Sequence, residues 1–203
     1  MPDICVRMPQ PVVFLETPRL LLRSWQPSDR DTYVRMNADP EVRRYFPDLL
    51  SKELSLLSME KMCKDMDARG YGLFALEVKA TATFIGYVGF AHSDFPTPCV
   101  EIGWRLDKTA WGKGYATEGA RACLAAGFER WGFPEVYAFT SIHNHPSENV
   151  MRRIGMERMG TFEHPHLPEG HWLREHVLYR IADITCVLSS GGGRPGVAPL
   201  AYI

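Results

Sequence analysis

Glu101-Ile-Gly-Trp-Arg-Leu-Asp-Lys-Thr-Ala-Trp-Gly-Lys-Gly-Tyr-Ala-Thr-Glu118 is a strand pattern that runs through a glycine-broken turn straight into a helix pattern. Val100, Ile102, Trp104 and Leu106 alternate with Cys99, Glu101, Gly103 and Arg105, a period of two that predicts a covered apolar face and leaves Glu101 and Arg105 sharing the other. Downstream, Ala116, Ala120, Cys123, Leu124, Phe128 and Trp131 recur at helical spacing as one stripe, with Glu118, Arg121, Glu129 and Arg130 outside it. Gly112 and Gly114 free the backbone to turn and let a ligand approach the main chain. The first N–H groups of a helix have no partners within it and carry the positive end of its dipole, so a phosphate or pyrophosphate is the expected occupant, with Lys113 adding charge. A bare Gly-x-Gly also serves as a plain strand-to-helix connection, so the surrounding chain has to decide between the two.

Working outward, residues 19–24 read as a strand, and Pro27 opens a helix carrying Tyr33, Val34 and Met36 that Asn37-Ala-Asp-Pro40 breaks. Ser51 caps a longer helix that Gly70 stops. Residues 71–78 and 84–91 form a hairpin through a polar turn. After the central unit come strands at 136–142, 156–162 and 175–181. Between the first two, Pro146 and Ser147 start a short helix with Val150, Met151 and Ile154 on one face and Gly155 as its stop. The expected class is α/β: a mixed, mostly antiparallel seven-stranded sheet flanked by helices, spanning residues 15–182, with an N-terminal extension at 1–14 and a flexible tail at 183–203.

A chain of 203 residues, 45% hydrophobic and 23% charged, suits one domain with a sizeable core. A net charge of −1 and the lack of a basic run argue against nucleic acid as a direct ligand. No stretch approaches the ~20 apolar residues of a membrane span, and the brief run at 12–15 falls short of a secretory segment. The five cysteines are scattered without CxxC spacing, which reads as reduced thiols in a cytoplasmic protein.

Three segments carry a resemblance. Trp111-Gly-Lys-Gly-Tyr-Ala-Thr-Glu-Gly-Ala120 after Glu101-Ile-Gly-Trp-Arg-Leu106 resembles the acetyl-CoA motif of the GNAT N-acetyltransferases, in the branch of the ribosomal-protein alanine acetyltransferases (RimJ/RimL-like). Gly114 and Ala116 match the general Q/R-x-x-G-x-G/A pattern, and Trp111 replaces its Gln or Arg. Asn144-His-Pro-Ser-Glu-Asn-Val-Met-Arg-Arg-Ile-Gly-Met156 is similar to the family's second motif, and Leu15-Glu-Thr-Pro-Arg-Leu-Leu-Leu-Arg23 to the branch's first strand.

The resemblance implies the GNAT fold, in which the strands bearing Glu101 and Val136 part at one end to admit the pantetheine arm. It also implies acetyl transfer from acetyl-CoA to a primary amine, by direct attack in a ternary complex, without a metal. Leu106, Trp111, Gly112, Lys113, Gly114, Tyr115, Ala116, Thr117, Asn144 and Ser147 are then the coenzyme-binding residues. Glu101 matches the catalytic glutamate and would act through a water, although the residues also allow an ion pair between Glu101 and Arg105. A backbone N–H between Gly103 and Leu106 would polarise the carbonyl. Met151 stands where many relatives have the tyrosine that protonates the thiolate, leaving Ser147 as the substitute or as a plain helix cap. Asn144 would bond the coenzyme arm, brace the strand gap or simply turn the chain.

The acceptor, a protein N-terminus or a small amine, is expected against Met36, Asn37, Tyr45 and His171. His164, His166, His171 and His176 crowd one region, which reads as a polar loop, an acceptor contact or, least of all, a metal site. A non-catalytic acyl-CoA-binding module and a nucleotide-phosphate binder are the rival classes; the latter lacks the GxxxxGK[ST] spacing. Such proteins occur as monomers or homodimers.

Overall fold

The computed structural model describes residues 10–182, so positions 1–9 of the expected extension and the expected tail at 183–203 lie outside the described residues. Among these described residues one sheet of eight strands runs in the order β1-β2-β3-β4-β5-β6-β8-β7. The strands are β1 (Val13–Glu16), β2 (Leu20–Arg23), β3 (Leu73–Val78), β4 (Thr83–Ser93), β5 (Cys99–Leu106), β6 (Glu135–Ser141), β7 (Glu157–Glu163) and β8 (Glu175–Ala182). Every neighbouring pair is antiparallel except β5 and β6. The sheet has one strand more than the seven expected. Val13–Glu16 is too short to show a period of its own and becomes a strand only because β2 supplies its ladder partners, Val13 opposite Arg23 and Glu16 opposite Leu21.

Among the described residues four α-helices flank the sheet: α1 (Arg30–Ala38), α2 (Lys52–Arg69), α3 (Tyr115–Glu129) and α4 (His145–Arg153). The Ser51 hydroxyl accepts the Leu54 N–H at 3.2 Å and Gly70 ends α2 at φ +71°, as its capping residues predict. Successive residues of β4 serve opposite layers. Val88 and Phe90 face α3, while the Tyr87 ring lies 6.0 Å from Trp25 and 6.3 Å from Tyr33 of α1. α3 rides close to the sheet because a Cβ at Gly119 or Gly127 would come within 2.9 Å of Val88 Cγ1 or Phe90 Cζ. Its buried stripe accordingly runs through Gly119, Ala120, Cys123, Leu124, Ala126 and Gly127, leaving Ala116 and Phe128 half-buried. The expected stripe is rotated, since small residues, not only large apolar ones, mark where a helix meets a sheet most closely.

Beneath α1, the buried Arg23 guanidinium donates to both oxygens of Asp29, at 2.7 and 2.8 Å, and through Nε to Glu77 at 2.7 Å. Cys99 and Cys123 are free thiols, whereas Cys63 is disulfide-bonded, which departs from the reading of all five as reduced. Among the described residues no helix is long and apolar enough to cross a membrane.

Candidate active site

β5 and β6 run parallel and, among the described residues, share a single register pair, Glu101 with Tyr137. No further register pair joins the strands toward their C-terminal ends among the described residues, which leaves an unpaired gap that begins beside Glu101. The Asp107 N–H bonds to Ile85 O at 2.8 Å, continuing the ladder with β4. By alternation, the odd-numbered amides of β5 point to β4 and those of Trp104 and Leu106 point into the gap. The Leu106 carbonyl accepts the Trp111 indole N–H at 2.9 Å, which folds the turn back onto the strand end.

At the open end of the gap Gly112 takes φ +73° and Gly114 takes φ +80°. Among the described residues, and apart from the adjoining backbone, no heavy atom lies within 4 Å of where a Cβ at Gly112 would stand, and at Gly114 only the Arg19 guanidinium does, at 3.5 Å. Gly114 caps α3 without a side-chain hydrogen bond, and the first bond of the helix is Glu118 N–H to Gly114 O at 3.0 Å. The amides of Tyr115, Ala116 and Thr117 are therefore left for a ligand. This cradle fits a diphosphate on an observation of its own: open space over glycines beside uncapped amides.

Arg19 stiffens the cradle from outside the motif. Its Nη1 donates to Lys113 O at 2.9 Å, its Nε to Glu118 at 2.6 Å, and its guanidinium lies 4.7 Å from the Tyr115 ring centroid. Burial opposes ionisation of Glu118, but hydrogen bonds from Thr17 and Arg19 outweigh it and hold the carboxyl below its ordinary value. An open pocket of about 590 Å³ runs along this edge past Arg19, Thr117, Arg121 and Arg153.

Glu101 has no hydrogen-bond or ion-pair partner among the described residues, and burial pushes its carboxyl up to about 8. The alternative ion pair with Arg105 is not formed: Arg105 donates instead to Asn37 Oδ1 at 2.7 Å. Asn144 caps α4, accepting the Ser147 N–H at 3.3 Å while donating to Thr140 of β6 at 2.9 Å. It thus fastens α4 to the strand that borders the gap. Ser147, the third residue of that helix, is not the cap, which leaves its hydroxyl without a capping duty. Met151 is core, 1% exposed.

The expected acceptor residues divide. Met36 is packed in the core and Asn37 is fully buried, its side chain reaching Arg105 and, at 3.4 Å, Arg43. Tyr45 is half-buried, with its ring 6.5 Å from Trp172, which itself lies 5.6 Å from His143. His171 turns inward to its own loop, its Nδ1 accepting the Leu173 N–H at 3.1 Å. Burial and the neighbouring His176 and His166 push His164 down to about 4, which makes it a neutral ring packed 4.7 Å from Phe95. Among the described residues no group of three His, Cys, Asp or Glu is disposed to hold a metal. Sequence reasoning missed Arg43, Phe46, Trp172 and His143. Only Arg105 carried a signal, as the residue sharing the Glu101 face.

The acetyltransferase (GNAT) domain model matches residues 19–157. The uncharacterized N-acetyltransferase YnaD of Bacillus subtilis is 28% identical over 169 residues, covering 83% of this chain and 96% of that protein. A GNAT-family acetyltransferase structure from Bacillus anthracis superposes with a TM-score of 0.70 at 28% identity, covering 83% of this chain and 97% of the other. RimL, a ribosomal L7/L12 alpha-N-protein acetyltransferase solved in complex with coenzyme A, gives 0.67 at 15% identity, over 84% and 97% of the two chains. That last likeness extends to the fold alone and does not single out the ribosomal branch. The domain match over most of the chain, on a parting strand pair with an uncapped helix at its mouth, makes this protein a member of the GNAT acetyltransferase family and an N-acetyltransferase.

Proposed function

We propose that the protein moves the acetyl group of acetyl-CoA to a primary amine, a protein N-terminus or a small molecule, by direct attack while both are bound. The observation that carries this reading is the position of Glu101, a carboxyl group without a partner among the described residues, at the start of the β5–β6 gap whose open end holds the phosphate cradle. Gly112, Gly114 and the first amides of α3 hold the diphosphate, with Lys113 beside them. The bound coenzyme supplies a thioester, a carbonyl already bonded to a leaving thiolate.

Glu101 takes a proton from the attacking amine through a water, and burial suits it to this by raising its affinity for that proton toward neutral pH. An α-amine, with a reference pKa of about 7.7–8, needs less of this help than a lysine at about 10.4. The amides of Trp104 and Leu106 face the gap and stabilise the negative charge that grows on the carbonyl oxygen, an effect typically worth ~2.7–4 kcal/mol per donor. Ser147 returns a proton to the departing sulfur. The narrower kinship with the ribosomal alanine acetyltransferases rests on the sequence motifs.

Two measurements test the reading. Acetyl-CoA should raise the melting temperature where ATP does not, by ~2.7 kcal/mol of stabilisation at a hundred times its Kd. A free-thiol assay across a panel of amines should then find turnover; coenzyme binding without turnover on any amine would contradict it.

A further inference from the structure

On the sheet face that carries Glu101 lies a second feature the reaction does not use. Arg105 and Arg43 converge on one neutral oxygen, Asn37 Oδ1, at 2.7 and 3.4 Å. Arg43 is 8% exposed and Asn37 is 0% exposed, yet among the described residues neither guanidinium has an ion-pair partner. Arg43 otherwise donates to the Asp48 carbonyl, and both cations lie over the Phe46 ring, 4.0 Å from its centroid for Arg105 and 4.7 Å for Arg43. Arg105 Nε and Asn37 Nδ2 are buried donors with no acceptor among the described residues. One buried and one half-buried cation, neither bonded to a carboxylate among the described residues although the Asp48 charge acts on Arg43 from nearby, lie beside two orphaned donors, a costly arrangement that an arriving anion relieves. Mutual repulsion adds to burial in depressing Arg43 to about 10.

Gly103 lies between Glu101 and Arg105 on the same face, and a Cβ there would meet nothing within 4 Å. A trough thus runs from the carboxylate to the arginines, floored by a residue with no side chain. Four residues of strand span ~13 Å. Allowing ~3 Å for a hydrogen bond at the arginines and ~3 Å on either side of the water at Glu101 leaves about 4–5 Å between the two groups of a ligand.

We propose that the acceptor is an amine carrying a carboxylate, with the acid held by Arg105, Arg43 and Asn37 and the amine presented to the water at Glu101 from about two methylenes away. This rests on the acetyl-transfer reading and narrows its acceptor. A planar carboxylate suits the guanidinium fork, whereas the amide of the same acid offers one neutral oxygen.

The test compares kcat/KM for 3-aminopropanoate, 3-aminopropanamide and propylamine, three amines of one chain length. The acid should be preferred at least about tenfold over both neutral compounds, and Arg105→Gln should bring it down to their level while acetyl-CoA still raises the melting temperature. Should Arg105→Gln fail to fold, Gly103→Val fills the trough without touching a charge; it should abolish turnover of the acid and keep the coenzyme-induced thermal shift. Equal turnover of the three amines, or a preference that survives Arg105→Gln or Gly103→Val, overturns the acid site and leaves acetyl transfer standing. Turnover of no amine in any panel removes both readings together.

Discussion

Replacing Glu101 by Gln exchanges a titratable carboxylate for a neutral group of the same shape, and the structure says how the loss should depend on pH. With its carboxyl raised to about 8, about a tenth of the wild-type enzyme carries an ionised Glu101 at pH 7 and about nine-tenths at pH 9. A positioned general base contributes ~10²–10⁴-fold, so the ratio of wild-type to Glu101→Gln kcat/KM should reach that size at pH 9 and shrink about tenfold per unit below pH 8. Taking the ratio at each pH cancels the titration of the acceptor amine, which both enzymes share. Acetyl-CoA affinity, read by calorimetry, should stay the same.

The same carboxyl makes a stability prediction of definite sign. Its folded-state value of about 8 exceeds the ordinary 4.5, so the folded protein holds this proton more tightly than the unfolded chain. The stability this confers is fully present below pH 4.5 and is lost as pH rises through 8. Glu101→Gln lacks that loss, and its advantage in unfolding free energy should grow from nothing at low pH to at most a few kcal/mol at pH 9. A rate ratio that is flat from pH 6 to 9, or close to one throughout, would remove Glu101 from the base role.

Other perturbations separate neighbouring roles. Gly114→Trp should abolish acetyl-CoA binding in calorimetry, because a large side chain fills the cradle and φ +80° disfavours any Cβ. Ser147→Ala should slow the single-turnover chemical step without moving the melting temperature, since Asn144 is the cap. Asn144→Ala should instead cost ~1 kcal/mol, a drop of about 2–4 °C in a thermal scan. Asp29→Ala, which strands the buried Arg23, should cost ~3–5 kcal/mol in denaturant unfolding, whereas a loss under 1 kcal/mol would mean that Glu77 alone compensates.

The period of two around Glu101, the Gly112–Gly114 break and the small-residue helix after it are local signals, and they place β5, the cradle and α3 from the chain alone. Caps at Ser51 and Gly70 are equally local. The strand β1 was not legible, because four residues take their ladder partners from elsewhere. Nor was the choice between Ser147 and Asn144 as cap, since both residue types cap well and only backbone geometry at 144 decides.

By itself, then, the sequence determined which stretches alternate, which turn, and that a glycine-broken turn leads into the start of one helix, because these depend on neighbours a few residues apart. Only the tertiary structure decided that Glu101 stands, among the described residues, without a partner where the pairing of two strands stops. It alone decided that Arg43, from a loop with no period, joins Arg105 over Phe46. Desolvation and charge pairing depend on which distant groups fold against a residue, and no local pattern encodes that.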